Sequence, residues 1–111
     1  FYTALATDGV AAKPEVVARD PERTQLLKLT KEQFAGLRAA MGDVVTSRGT
    51  AASAAIQGVQ LAGKTGTAQN ETARDHAWFV GFAPQDDPKI VVAVMLWQGE
   101  HGYAAARIAS R

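Results

Sequence analysis

Between Thr30 and Gly49 the apolar positions fall at Phe34, Leu37, Met41 and Val44/Val45. That three- and four-residue spacing predicts a helix that lays one apolar stripe on a core. Thr30 and Gln33 make the T-x-x-Q pattern of a capping box, in which two side chains satisfy amide groups the first turn leaves unpaired. Ser47-Arg48-Gly49 closes the helix, glycine being suited to the left-handed residue after a helix end. The Ala-rich stretch from Thr50 to Gln57 predicts a short second helix. Ahead of Thr30, residues 1–7 read as a helix ended by the turn dipeptide Asp8-Gly9. Val10 to Arg19 reads as extended, with Pro14 confining it to an edge or an irregular strand. Asp20-Pro21 is a turn, and Gln25 to Leu29 a short strand.

The pattern then changes to strands. Val59 to Thr67 alternates, Gln69 to Asp75 is a polar loop, and His76 to Ala83 is densely apolar and aromatic. Pro84 and Asp86-Asp87-Pro88 mark a turn before Ile90 to Trp97. This last run is β-branched and apolar on both faces, which predicts a central strand covered by helices. Connections this short favour an antiparallel meander, because parallel neighbours need long crossovers. Tyr103 to Ser110 forms a closing helix of small residues. The fold class is therefore α/β, an antiparallel sheet flanked by helices.

Composition narrows the chemistry. The 111 residues are 47% hydrophobic and 21% charged, with 12 Lys+Arg against 11 Asp+Glu and a net charge of +1. That length suits one core, and that charge gives no bulk attraction to nucleic acid or an anionic membrane. Its apolar runs are strand-length or Ala-rich, too short to span a bilayer as a helix. Zero cysteines exclude disulfides, thiolate zinc sites and thiol catalysis, and leave the compartment open. The chain begins Phe1-Tyr2-Thr3 without a signal-peptide pattern and stops at Ser110-Arg111 inside a helical pattern. It therefore reads as part of something longer.

Two motifs overlap on one segment. Gly58-Val59-Gln60-Leu61-Ala62-Gly63-Lys64-Thr65 fits the phosphate-loop pattern G-x-x-x-x-G-K-[ST] at every position. That motif works only with a strand before it and a helix after it, so that backbone N–H groups cradle phosphate. Here a helical stretch precedes Gly58 and a polar loop follows Thr67, so the order is wrong for a nucleotide site. Lys64-Thr65-Gly66-Thr67 fits a second motif, the K-T-G triad of serine penicillin-recognising enzymes. In that chemistry a lysine holds a cation near an anionic substrate, and threonine hydroxyls bind a carboxylate. Gly66 lets a substrate backbone approach, and an amide N–H helps hold an oxyanion. Strand alternation puts Thr65 and Thr67 on one face and Lys64 on the other. All three reach one cleft only from an edge strand seen side-on. On its own, a three-letter motif favours the plainer reading, a surface strand with one exposed lysine and two threonines.

Over nearly its whole length the chain resembles the transpeptidase domain of class B penicillin-binding proteins. Ala62-Gly63-Lys64-Thr65-Gly66-Thr67-Ala68-Gln69, His76-Ala77-Trp78-Phe79-Val80-Gly81-Phe82-Ala83-Pro84 and Ile90-Val91-Val92-Ala93-Val94 carry the resemblance, with Phe1 to Gly9 and Val45 to Thr50 upstream. Several ordered matches are far more specific than any one. The K-T-G-T-A-Q form looks most like the cell-elongation or division transpeptidases. The departure is as informative. The family's S-x-x-K and S-x-N motifs do not occur: Ser47 precedes Arg-Gly-Thr, Ser53 precedes Ala-Ala-Ile, and Ser110 precedes Arg alone.

Other residues read as ordinary structure. His76, His101, Asp75 and Glu100 match no metal-ligand spacing and read as solvated loop residues. Trp78, Phe79 and Phe82 read mostly as core, and Trp97 fits either core or surface. Lys28, Lys31, Arg38 and Arg48 are scattered and read as solvated surface.

The resemblance implies the serine penicillin-recognising fold, of which residues 1–111 supply the C-terminal portion. It implies a peptidoglycan D,D-transpeptidase that cross-links D-Ala-D-Ala stem peptides through a serine acyl-enzyme, and that β-lactams trap. Lys64 and Thr67 are the implied catalytic residues, and Thr65, Gly66 and Thr67 the substrate-binding ones. The serine and the rest of the domain would lie outside this chain, which alone would be inactive. No metal or organic cofactor and no nucleic acid is implied. The family's place is the extracytoplasmic (periplasmic) face of the cell membrane, held by an N-terminal anchor. A β-lactam sensor or non-catalytic penicillin-binding module, and a carboxypeptidase or β-lactamase relative, share the K-T-G strand and stay open.

Overall fold

The computed structural model describes residues 1–17 and 20–111. Helix α1 (Tyr2–Ala6) is followed by a two-stranded antiparallel ribbon, β1 (Val10–Ala12) with β2 (Arg23–Gln25). The extended reading of Val10 to Arg19 holds for β1 only, and its last two residues lie outside the described ones. The strand expected over Gln25 to Leu29 instead ends at Gln25. The turn at Asp8-Gly9 explains the register: Gly9 O accepts from both Leu26 and Leu27 N–H, which takes those residues out of the ladder.

Helix α2 (Lys31–Asp43) starts at Thr30 with both halves of the capping box formed, as its sequence requires. Phe34 and Val45 are buried, whereas Leu37 remains 42% exposed. Arg38 departs from the surface reading. Its side chain is 12% exposed, and the guanidinium donates to the carbonyls of Leu5 and Ala6 and pairs with Asp8 at 2.6 Å. It satisfies carbonyls that the end of a short helix leaves without intrahelical donors. The second helix expected over Thr50 to Gln57 shrinks to one 3-10 turn, Ala52–Ala54. Gly58, at φ +79°, then turns the chain, and β3 begins at Ala62 instead of Val59.

Strands β3 (Ala62–Ala68), β4 (His76–Ala83) and β5 (Ile90–Leu96) form the expected antiparallel meander in the order β3-β4-β5. Of these three strands β4 is the middle one, and among the described residues β5 pairs with β4 alone, so the central reading of Ile90 to Trp97 is met on that side only. Helices cover one face of β5 in part, while Val91 and Met95 on the other stay 39% and 42% exposed. On one side of the sheet, Phe79 and Ala77 pack with Ala105 and Ala106 of α3 (Gly102–Ala109) and with Ala51 and Ala54 of the 3-10 turn. On the other side Phe82 and Ala62 meet Ala6 and Met41. Phe79 and Phe82 are core as expected. Trp78 is not: it is 40% exposed beside its cross-strand partner Met95. Trp97 lies at the surface, stacked on His76 at 4.2 Å, and His76 Nδ1 accepts from the N–H of Gln98. Among the described residues no helix is long and apolar enough to cross a membrane.

Candidate active site

Among the described residues strand β3 pairs only with β4, which leaves its other edge unpaired, and a cavity of about 500 Å³ opens along it. Lys64, Thr65, Gly66 and Thr67 all line this cavity. The geometric demand made by strand alternation is therefore met. Lys64 springs from the face opposite Thr65, but its stem folds back and Nζ donates to Thr65 O at 2.7 Å. A Cβ placed on Gly66 would meet only Trp78 Cβ, at 3.4 Å, which is ordinary contact. Room beside this glycine is what an extended peptide needs in order to lie along a strand edge.

The phosphate-loop alternative has no support in the backbone. Gly58 to Leu61 is a turn and an isolated bridge, and Lys64-Thr65 sits inside a strand, with no helix after it to point amides at a phosphate.

Two further segments complete the cavity. Thr50 ends the Val45 to Thr50 stretch that shares in the resemblance, which assigns it no role in the site. The other is the start of α3, where His101 lines the wall although its sequence reads as solvated loop. Thr50 brings its hydroxyl to 3.0 Å from that of Thr65. From the opposite end, His101, Gly102 and Tyr103 at the start of α3 line the wall. Gly102 makes the close approach possible, since a Cβ there would stand 2.8 Å from Thr65 Cβ and 2.9 Å from Gly66 O. A glycine opening a helix of small residues was the available signal, but its neighbour in space could not be read from it. The lining holds one lysine, hydroxyls from three threonines and a tyrosine, and no carboxylate. The first turn of α3 adds the partial positive charge of unpaired amides. Such a surface favours an anion that can accept several hydrogen bonds at once.

Asp75, His76 and Glu100 stay out of this cavity. The Glu100 N–H donates to Asp75 O, and its carboxylate lies 3.6 Å from Arg74, so these groups tie the β3–β4 and β5–α3 loops together.

The sequence and the fold have counterparts among known proteins. All 111 residues match the family model described as the penicillin binding protein transpeptidase domain. Over 94% of its length the chain aligns at 41% identity with the peptidoglycan D,D-transpeptidase MrdA of Acinetobacter baumannii. Over 86% it aligns at 36% with the peptidoglycan D,D-transpeptidase PbpA of Mycolicibacterium smegmatis. It spans 17% and 22% of those two proteins. Among solved structures, the D,D-transpeptidase domain from Eggerthella lenta superposes with a TM-score of 0.80 at 34% identity, over 97% of this chain and 28% of that one. The imipenem acyl-enzyme complex of penicillin-binding protein A from M. tuberculosis gives 0.79 at 28%, over 96% and 27%. The chain belongs to the penicillin-binding protein transpeptidase family, and its antiparallel sheet with flanking helices is part of that domain's fold.

Proposed function

We propose that this chain is the substrate-gripping wall of a peptidoglycan D,D-transpeptidase, completed by a serine from outside these 111 residues. The observation that carries the reading is the convergence of Lys64, Thr65 and Thr67 on one carboxylate-free cavity at the free edge of β3. The stem peptide lies along that edge with its terminal carboxylate on the Thr65 and Thr67 hydroxyls. Lys64 supplies the cation that draws this carboxylate in and polarises the serine of the S-x-N motif. The nucleophilic serine attacks the carbonyl of the penultimate D-Ala, and the Thr67 amide holds part of the oxyanion. The terminal D-Ala leaves as the free amino acid, its nitrogen taking up a proton. The amine of a neighbouring stem peptide then attacks the ester and releases the serine. A β-lactam enters the same site and stays as the acyl-enzyme. The site of action is the outer side of the cytoplasmic membrane, where the polymer is built.

The exposed cross-strand pair Trp78 and Met95, with Val91 nearby and the open edge of β5, fits this reading. These are the surfaces on which the remainder of the domain rests. A fluorescent penicillin should label the full-length protein on a serine outside this chain and leave the isolated 111 residues unlabelled. Stable labelling of the isolated chain would sink the division of roles.

A further inference from the structure

The hydroxyl of Thr50 stands 3.0 Å from that of Thr65, and Thr50 belongs to neither the strand nor the helix of the site. Its position is nonetheless fixed tightly. On one side Gly49 is packed against the carbonyls of Asp43 and Val44, where any Cβ would collide. On the other, Ala51 is fully buried and its N–H donates to Val44 O at 2.8 Å. The chain between the end of α2 and the 3-10 turn therefore presents Thr50 to the cavity with little freedom. Thr65 is held from its other side by the start of α3 at Gly102.

We infer that Thr50 is a positioning residue, whose hydroxyl donates to Thr65 and so leaves the Thr65 proton free for an incoming carboxylate. The inference rests on the function proposed above. A hydroxyl has one proton to give and two lone pairs to receive. When an anion occupies the cavity, Thr65 must spend its proton on it, and the bond between the two threonines can then run in one direction only. The resulting chain, Thr50 O–H to Thr65 O–H to carboxylate, is cooperative, because each donor is polarised by the one behind it. It also selects the Thr65 rotamer before substrate arrives, which reduces what must be ordered on binding.

The test is a double-mutant cycle in the full-length protein, with acylation by a fluorescent penicillin resolved into the initial binding constant and the acylation rate. Thr50→Val should weaken initial binding about tenfold, the upper end of what one hydrogen bond between neutral groups contributes, with little change in the later rate. Thr50→Ser should restore it to within about twofold, because the hydroxyl returns. In a Thr65→Val background, Thr50→Val should add nothing further. Additive losses in that background would overturn the inference, since Thr50 would then act without Thr65. So would unchanged binding in Thr50→Val, or a Thr50→Ser variant as weak as Thr50→Val. A wild-type protein that is not acylated at all overturns the proposed function, and this inference with it, and is told apart by the reference measurement.

Discussion

The ring of Phe79 lies over the backbone of Gly63, so close that a Cβ on Gly63 would stand within 2.7 Å of Phe79 Cε2. Phe79 fills the same position over Gly81, whose Cβ would meet Cε1 at 2.7 Å. These two glycines are cross-strand partners, so one buried ring uses the space of two side chains and fixes how β3 sits on β4. The strand that carries Lys64, Thr65 and Thr67 is registered by this contact.

Two neighbouring glycines of the same strand should therefore fail differently. Gly63→Ala overpacks the sheet at Phe79 and should cost about 1–3 kcal/mol of stability. Gly66→Ala meets only an ordinary contact with Trp78 and should stay within about 0.5 kcal/mol of wild type. It should nonetheless slow acylation about a hundredfold, because the methyl stands where a substrate backbone must lie. Denaturant unfolding alongside penicillin labelling checks both. Equal stability losses in the two variants would contradict the distinction.

Arg38 joins α2 to the end of α1 through the carbonyls of Leu5 and Ala6. Arg38→Met should lower stability by about 1–3 kcal/mol, since those carbonyls lose a charged donor in a partly buried place. Asp8→Asn should cost less than about 1 kcal/mol, as the ion pair is open to water on the Asp8 side. Shifts in the unfolding midpoint read both, and a larger loss in Asp8→Asn would place the weight on the ion pair instead.

Glu32, in the first turn of α2, has its carboxyl held below the usual carboxylate range. The first cause is a hydrogen bond from its own backbone N–H, and the second is the Thr30 side chain. A folded-state value below the unfolded one gives stability that is present above the ordinary carboxylate pKa. It is lost as pH falls through the folded-state value. NMR titration of the Glu32 carboxyl should show the depressed midpoint, and Thr30→Ala should move it up. A midpoint unmoved by Thr30→Ala would show that the cap plays no part.

Much of this architecture was legible in the sequence, for local reasons. The stripe from Phe34 to Val45 and the Thr30/Gln33 box define α2 by contacts within one helix. One alternating segment and two apolar runs define β3, β4 and β5, and their short connections define the meander. What could not be read depends on distant chain segments. Arg38 looks like any surface arginine until α1 brings its carbonyls alongside. Ile90 to Trp97 has a central strand's composition, yet within the described residues it has a neighbour on one side only. Lys64, Thr65 and Thr67 were identifiable from the K-T-G-T pattern, and the edge position of β3 is what lets them share a cavity. Thr50 and Tyr103 reach that cavity from either side of the strand in sequence; Val45 to Thr50 is marked by its resemblance alone, and neither residue's place beside Thr65 is set by a local pattern.

Lys64 carries the central claim, and Lys64→Ala in the full-length protein tests it most directly. With folding verified by an unchanged melting transition, the acylation rate by a fluorescent penicillin should fall at least about a hundredfold, the scale of a lost charge-stabilising group. Acylation at the wild-type rate would contradict the assignment of the β3 edge as the active site.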